Sequence, residues 1–574
     1  QPSEWHYDES ENKLYVWLPD GQNPNDAGLD IEARVFEEGN YEVSREDYLL
    51  SISNSSHLVL KGINTYTGAF KLDHTTDTTF EDSRFLYIRQ PGYMLGSDKR
   101  TSTNNTYNIS GDANLTWRNC EFANSYDGML IMGGLKFFNG STIDNCYFHN
   151  IARGSGFIAA RNASDFKLTQ STVHTGAYGG VMQVPKGSEV SYNHFYGFYF
   201  DGDDSVLQVP GNTTVGTTIH HNWIHDAVGR NGIRFDGNPA GIDGTAHHNV
   251  LFRNRRGSRW KGDQHTLLNN LAFHNTRYDI GISEDKFYGW DADGNLIRDK
   301  NSPMKGNFNS VAHNNAGNNN LRIPQGDSPE NKTNNWERPH RWGRGIENEL
   351  MDVHSYDFRP KPSSTNFIDQ GKHIPLFNDD FIGTAPDIGA YEYGAESYWI
   401  PGHQTEKARM PIPFNGATTV SQHFITLEKQ DADLIWLPAR EAKANRVWLG
   451  TDPDELTFCA EQTTNIFDPG SLNPGTTYYW RIDTVTQDDL IVEGDVWSLT
   501  PDQQEQIIVP DLHIGDPGNS GDPNQSDLGS VDYSFYISET EITNEEYAAF
   551  LTATNKPEGS LNPKAFKTAF PISS

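Results

Sequence analysis

An asparagine recurs through the middle of the chain, and each occurrence opens a similar short phrase. Successive occurrences lie 21 to 29 residues apart, a period that indicates stacked supersecondary units. Residues one period apart in such an array lie above one another on a continuous face. The repeat therefore predicts both the fold and the surfaces on which functional side chains would line up. Its members are Asn119, Asn145, Asn193, Asn222, Asn249 and Asn270, with Ser171 in the place missing between the second and the third.

The segments between these asparagines are short, β-prone and without helical periodicity. One kind of strand leads to the asparagine, as in TTIHHN and GTAHHN, and another follows a glycine-rich turn, as in DSVLQV and NGIRFDG. A coil of about 22–29 residues with three short strands predicts an all-β fold, a right-handed parallel β-helix. The stacked asparagines would bond backbone groups of neighbouring coils. Aromatic residues three positions further on, Phe122, Phe148, Phe252 and Phe273, are predicted to stack inside the coil.

The sequence divides into four segments. Residues 1–30 are predicted to be an irregular lead-in, and residues 31–395 the β-helix, with a strandless surface loop at 318–345 and PDIGAYEYG (386–394) at its end. Alternating strands in 407–500 predict a small β-sandwich, and we expect 505–574 to be a fragment of a further domain. Three cysteines are too few for a disulfide framework. We expect Cys120 and Cys146 to be stacked core thiols, and Cys459 to be buried and inert.

The charge and composition of the chain limit the classes of molecule that it can bind. A formal net charge of −32 argues against nucleic acid and anionic membranes, although a local basic cleft could still bind an anionic substrate. No apolar run approaches the ~20 residues of a membrane span. The chain opens on Gln1, as a mature secreted protein would. We expect a monomer that needs no cofactor. Calcium is the one ion that we keep as an alternative.

The strands after the glycine turns align in columns without gaps. Alternation along a strand sends the first and third columns to one side and the apolar second column to the core. The first column is Gln183, Gln208, Arg234 and Arg259; the second is Val184, Val209, Phe235 and Trp260; the third is Pro185, Pro210, Asp236 and Lys261.

Chemistry is predicted on the two outward columns. Two adjacent arginines are costly unless they bind carboxylates or an anionic ligand. Asp236 would be the catalytic carboxylate, kept ionised by Lys261, with Asp201, Asp204 or Asp263 as the second carboxylate that glycoside hydrolysis needs. β-Elimination from a uronate is the alternative and would use Arg259, Lys261 and His265. The plain alternative is a solvated face on which Asp236 and Lys261 make a weak surface pair.

Two histidine pairs, His220-His221 and His247-His248, occupy matching positions in adjacent coils. A zinc site would need a further ligand, and the sequence supplies no clear one. We therefore expect histidines that face solvent or pack in the turns, and no metal.

The repeat, GIRFDGN, RWKGDQH and PDIGAYEY together resemble secreted bacterial right-handed parallel β-helix enzymes of the pectate-lyase-like superfamily over about 30–395. TTYYWRID and GDVWSLT resemble fibronectin type III-like modules, and the last segment resembles the opening of formylglycine-generating-enzyme-like domains. The resemblance implies an extracellular or periplasmic, endo-acting glycoside hydrolase that cleaves a sulfated, fucan-like algal polysaccharide. The alternatives it leaves are a lyase acting on a uronate polymer and a non-catalytic glycan-binding β-helix.

Overall fold

The chain folds around three long parallel sheets. The computed structural model describes residues 5–8, 10, 13–16, 48–73, 75–88, 114–125, 130–131, 139–151, 158–159, 164–176, 182–199, 205–210, 215–236, 242–282, 289–290, 296–297, 309–318, 321, 331–337, 345–418, 433–501, 511–514 and 535–538. In the described part every regular element is a strand, apart from one 3₁₀ turn at Ile346–Asn348. The predicted all-β parallel β-helix is confirmed.

Each sheet takes one strand from every coil, and each strand pairs in parallel with its equivalents in the coils before and after it. The seven-stranded sheet contains Leu130–Ile131, Ile158–Ala159, Met182–Gln183, Ser205–Pro210, Asn231–Asp236, Arg256–Trp260 and Tyr278–Ile282. The ten-stranded sheet contains Val59–Lys61, Thr79–Glu81, Thr116–Arg118, Thr142–Asp144, Lys167–Thr169, Glu189–Ser191, Thr217–His220, Gly244–His247, Thr266–Leu268 and Val311–His313. The twelve-stranded sheet contains Tyr48–Ser53, Asn64–Asp73, Arg84–Ile88, Glu121–Ser125, Tyr147–Ile151, Thr172–Gly176, His194–Tyr199, Trp223–Val228, Val250–Phe252, Leu271–Phe273, Ala316–Gly317 and Trp336–Glu337.

The stacked asparagines form a ladder of side chains, one from each coil, at the turn between the ten-stranded and twelve-stranded sheets. Each ladder side chain accepts a hydrogen bond from the backbone N–H of the equivalent residue one coil earlier, as Asn222 does from Asn193 at 2.9 Å. Ser171 occupies the same place and accepts from Cys146 at 2.9 Å. The predicted line of asparagines is therefore present from Asn193 onward, with Ser171 before it, and it continues through Asn315 and Asn335.

The first two predicted members were assigned to the wrong place. Cys120 and Cys146 fill the ladder position in their coils, because the N–H of Cys120 points at the Cys146 sulfur. Asn119 and Asn145 lie one residue earlier, with φ of 55° and 50°, a left-handed conformation that asparagine tolerates better than most residues. The two thiols are buried and free, as predicted.

This one-residue offset also changes two predicted core positions. Phe122 and Phe148 stack inside the coil, with ring centroids 4.6 Å apart. Phe252 and Phe273 pair in register with His225 instead, and a one-residue shift along a strand reverses the face. Their rings pack outside the coil, against Phe358.

After the last coil the chain returns along the outside of the helix. This return segment, residues 369–404, bonds first to Asn314, then to Asn269, and finally to Asn145. Tyr391 lies midway along it and accepts a hydrogen bond from the Trp223 indole at 2.9 Å. The phrase PDIGAYEYG therefore covers the flank of the β-helix. The prediction that this phrase closes the end of the β-helix is wrong.

Several further details differ from expectation. The lead-in contains an antiparallel hairpin, Trp5–Asp8 with Lys13–Val16. The supposed strandless loop contributes Trp336–Glu337 to the twelve-stranded sheet. The predicted first coil at GNYEV lies outside the described residues. Short antiparallel pairs also join Gly289–Trp290 to Leu296–Ile297, Leu350–Asp352 to Asp357–Pro360, and Asp511–Ile514 to Phe535–Ser538.

The predicted sandwich follows the return segment. One sheet contains Arg409–Ile412, Leu434–Leu437 and Ile466–Phe467; the other contains Thr457–Gln462, Ala444–Gly450, Tyr478–Val485, Ile491–Val492 and Val496–Leu499. Trp436, Trp480 and Trp497 fill the core between them. Cys459 is exposed, so the prediction that this thiol is buried is wrong. The resemblances to fibronectin type III and formylglycine-generating-enzyme-like domains stay predictions.

Candidate functional site

The predicted columns lie in register on the seven-stranded sheet. Gln208 pairs with Gln183 on one side and with Arg234 on the other, and Arg234 pairs with Arg259. The apolar column between the two polar ones is fully inside, and the Phe235 and Trp260 rings stack with centroids 4.0 Å apart. Alternation then places the two polar columns on the outer face of this sheet.

Asp236 lies at the centre of an ion-pair cluster on that face. It forms an ion pair with Arg234 on its own strand, and its Oδ1 lies 2.8 Å from Lys261 Nζ. The side chains of Asp236 and Lys261 are 18% and 17% exposed, and that of Arg234 is only 5% exposed. Such a pair is largely removed from water, so it differs from the weak surface pair of the plain alternative.

Arg259 is the cation of this face that makes no ion pair with a described residue. It lies one strand beyond Arg234 and is partly exposed. In the described part of the chain no ion pair involves Arg259. Gln208, two strands away, is partly buried, and its Oε1 accepts no hydrogen bond from a described residue. For Gln183 the structure describes the backbone position in the column. A guanidinium and an amide therefore face outward beside the cluster.

His265 is not placed to bind substrate. It is fully buried, and its ring packs edge-on against the stacked rings of Phe235 and Trp260. Its Nε2 lies 2.7 Å from the carbonyl oxygen of Lys261, and its Nδ1 accepts the Gly244 N–H. Burial lowers the pKa of His265 to about 4. The neutral ring supports the turn after Lys261, so the predicted contact with substrate conflicts with the structure.

Of the proposed second carboxylates, one belongs to the described part of the chain. Asp263 is 2% exposed, so its side chain is buried. Asp201 and Asp204 lie outside the described residues, and their part in catalysis stays a prediction.

A second set of titratable side chains lies on the outer face of the twelve-stranded sheet, and sequence reasoning missed it. The rings of His149, His174, Tyr196 and His225 stack along it, with successive centroids 5.6, 4.8 and 5.4 Å apart. Each stands three residues after a ladder position, so the correct ladder register would have found them.

Hydrogen bonds fix this second set in place. His225 Nδ1 lies 2.6 Å from Asp226, whose carboxylate also accepts two hydrogen bonds from Arg253 at 2.7 Å. Burial lowers the pKa of His174 and of His225 to about 4. His403 and Gly402 of the return segment lie on the same face, against Tyr147 and His194 respectively. We therefore assign the set to attachment of the return segment.

The two histidine pairs come together at the ladder turn. One donor atom from each of His220, His221 and His247 lies within 4.8 Å of the other two. Among the described residues this is the group that could hold a metal ion.

The comparison with protein families agrees with this architecture. Residues 72–272 match the family described as "Right handed beta helix region". This fits a protein that acts on polysaccharides, since such domains are common in carbohydrate-active enzymes. A search of the curated proteins found no match to the chain. None of the described residues belongs to a helix long and apolar enough to cross a membrane.

Proposed function

We propose that the protein binds an anionic polysaccharide across the outer face of the seven-stranded sheet and cleaves it there. The observation that carries the proposal is the Arg234–Asp236–Lys261 cluster with Arg259 beside it, on the fifth and sixth of the seven strands of that sheet. A chain with a net charge of −32 repels anions generally, so a local group of cations is a selective site for one. A polymeric substrate of this kind also fits a protein that works outside the cell.

Glycoside hydrolysis of a sulfated, fucan-like polysaccharide is the first form of the proposal. Arg259 would bind a sulfate group, because a guanidinium offers several donors in a plane to an oxyanion. Asp236, held as an anion between two cations, would be the base or nucleophile. The acid partner would come from a residue outside the described part of the chain, and Asp201 and Asp204 stay the candidates from sequence.

β-Elimination from a uronate polymer is the second candidate, and a specific observation favours it. On the described part of the face, one carboxylate, Asp236, lies among three cations, Arg234, Arg259 and Lys261. Elimination requires neutralisation of the substrate carboxylate, which Arg259 can provide, a base that takes the C5 proton and an acid that protonates the leaving oxygen, and it does not require two protein carboxylates. Lys261, oriented by Asp236, would be the acid, and the base would come from a residue outside the described part of the chain.

The test begins with Arg259→Ala, measured on a panel of sulfated and uronate polysaccharides. Loss of one charge-assisted contact should weaken binding by about 1.5–3 kcal/mol, with the thermal midpoint unchanged. Arg118→Ala is the matched control, since Arg118 is a half-exposed arginine on the ten-stranded sheet with a distant partner, Asp144, at 3.7 Å. Arg234 is unsuitable for this test because its burial ties it to folding. Equal binding by Arg259→Ala and the parent would place the substrate on another face.

The reaction type is decided by Asp236→Asn and by the products. For hydrolysis we expect turnover to fall by about 10²–10⁴-fold, with substrate binding kept and with saturated products. Unsaturated, ultraviolet-absorbing products would establish elimination instead. Binding without any product from every polysaccharide of the panel would leave a glycan-binding β-helix and refute the enzymatic proposal.

A further inference from the structure

Four histidines form a compact block at the ladder turn, apart from the proposed substrate face. His220 and His221 end one strand of the ten-stranded sheet, and His247 and His248 end the next. The ring of His220 lies on that of His247 with centroids 4.7 Å apart, and His221 lies on His248 at 4.9 Å. Within each pair the two Nδ1 atoms face each other, 2.9 and 3.0 Å apart.

Burial keeps three of the four rings neutral. It lowers the pKa of His247 to about 2 and that of His248 to about 3, and it places the pKa of His221 well below its usual value. Neighbouring imidazoles add to these shifts. A neutral imidazole offers one nitrogen lone pair to a metal. Where two Nδ1 atoms face each other, at most one of them carries the proton.

The spacing suits a small tetrahedral ion. Zinc–nitrogen bonds of about 2.0–2.1 Å place tetrahedral donors about 3.3–3.4 Å apart. The Nδ1 atoms of His220 and His221, 2.9 Å apart, need to separate by a few tenths of an ångström. A donor of His247, which lies within 4.8 Å of the other two, needs to approach them by about 1.4 Å at most.

We propose that His220, His221 and His247 bind one zinc-like transition-metal ion. Imidazole donors favour zinc, copper and nickel over calcium or magnesium. This proposal is independent of the polysaccharide site, and it departs from our expectation of no metal.

A carboxylate next to the block supports the assignment. Glu189 Oε1 lies 3.5 Å from His220 Nε2. A metal-binding histidine commonly donates its other N–H to a carboxylate, which orients the ring. With Nδ1 on the metal, Nε2–H of His220 would point at Glu189.

The ion would join two coils beneath the return segment. The ring of Phe377 lies 5.2 Å from that of His247, and the ring of Trp399 lies 5.0 Å from that of His221. Both aromatic residues belong to the return segment. A metal bound to adjacent coils at this place would fix the surface on which the segment packs, so it should stabilise the folded chain.

The test is a zinc titration of the full chain after treatment with a chelator. Cys459→Ser serves as the parent, because the exposed Cys459 thiol would otherwise compete for zinc. We expect one Zn²⁺ per chain, a higher thermal midpoint with zinc, and affinity at least about tenfold weaker in His247→Gln. His174→Gln is the matched control, a part-buried imidazole bonded to Tyr147 on the other sheet, and it should bind zinc as the parent does.

Cobalt gives a second readout that needs no variant. Co²⁺ bound to the parent should show the visible absorption of a tetrahedral nitrogen-ligated ion, and zinc should remove it. Absence of stoichiometric zinc binding, or equal affinity in His247→Gln and the parent, would overturn the proposal and leave a hydrogen-bonded imidazole stack. An octahedral cobalt spectrum would likewise overturn the three-histidine site.

Discussion

Replacing Asn222 by alanine should remove much of the stability of the β-helix. Asn222 has no exposed surface. Its Oδ1 accepts from the N–H of Asn193, and its Nδ2 lies 2.9 Å from the carbonyl of Val190 and 3.0 Å from Asn249 Oδ1. Alanine leaves the buried N–H of Asn193 without this partner, at ~1–3 kcal/mol, and removes one donor each from the carbonyl of Val190 and from Asn249 Oδ1, at ~0.5–1.5 kcal/mol per bond, although Asn249 Oδ1 keeps the N–H of residue 222. We expect a loss of about 3–6 kcal/mol, a large share of the ~5–15 kcal/mol that stabilises a typical domain.

Two further variants separate the ladder position from the position before it. Asn222→Ser should lose about half as much, because Ser171 in the same place accepts from Cys146 N and donates to Thr169 O. Asn119→Ala should cost only about 1 kcal/mol, since Asn119 is partly exposed and bonds to side chains. Urea unfolding followed by tryptophan fluorescence and circular dichroism gives the comparison. Equal losses in Asn119→Ala and Asn222→Ala would refute the assignment of the ladder.

Two further predictions concern titratable groups away from the ladder. One thiol, Cys459, should react with a thiol reagent in the native protein and all three in denaturant, because Cys120 and Cys146 are buried; reaction of more than one native thiol would contradict the stacked core. Burial raises the pKa of Glu392 to about 7 and that of Asp387 to about 6, so the folded state holds these protons more tightly than the unfolded chain. Stability should then fall as the pH rises from about 4 to about 7, and Glu392→Gln should flatten that dependence in thermal melts; an unchanged slope would contradict it.

The coil period and the strand register could be predicted because both depend on short sequence patterns within each coil. Glycine turns separate equal strands, so the column of Arg234 and Arg259 aligned without gaps and is present as predicted. The ladder register was ambiguous in the early coils, where an asparagine stands just before the true position. Asparagine suits both the left-handed conformation and the ladder hydrogen bonds. The residue type alone therefore did not show whether Asn145 or Cys146 occupies the ladder position.

The return segment and the limits of the site could not be read in this way. The segment is fixed by contacts between residues 168 and 259 positions apart, Trp223 with Tyr391 and Asn145 with Gln404, and nothing periodic encodes them. His265 resembled a surface residue because it follows a charged strand. The burial of His265 depends on the direction that the chain takes in the turn after Lys261. The alternation of polar and apolar residues along the strands does not predict that direction.

The two outer faces differ in chemistry, which explains why, among the described residues, the return segment covers the twelve-stranded face and not the seven-stranded one. Phe252 and Phe273 project outward from the twelve-stranded sheet, and leaving both in water would cost about 1.5–3 kcal/mol each. The return segment and the residues before it bury that column together with Ile388 and Tyr391. The corresponding column of the seven-stranded sheet carries Arg259 and the Asp236–Lys261 pair, which an apolar cover would desolvate at a cost of several kcal/mol per ion. A hydrated, anionic chain does not impose that cost, and this is the physical reason to look for the substrate on the seven-stranded face.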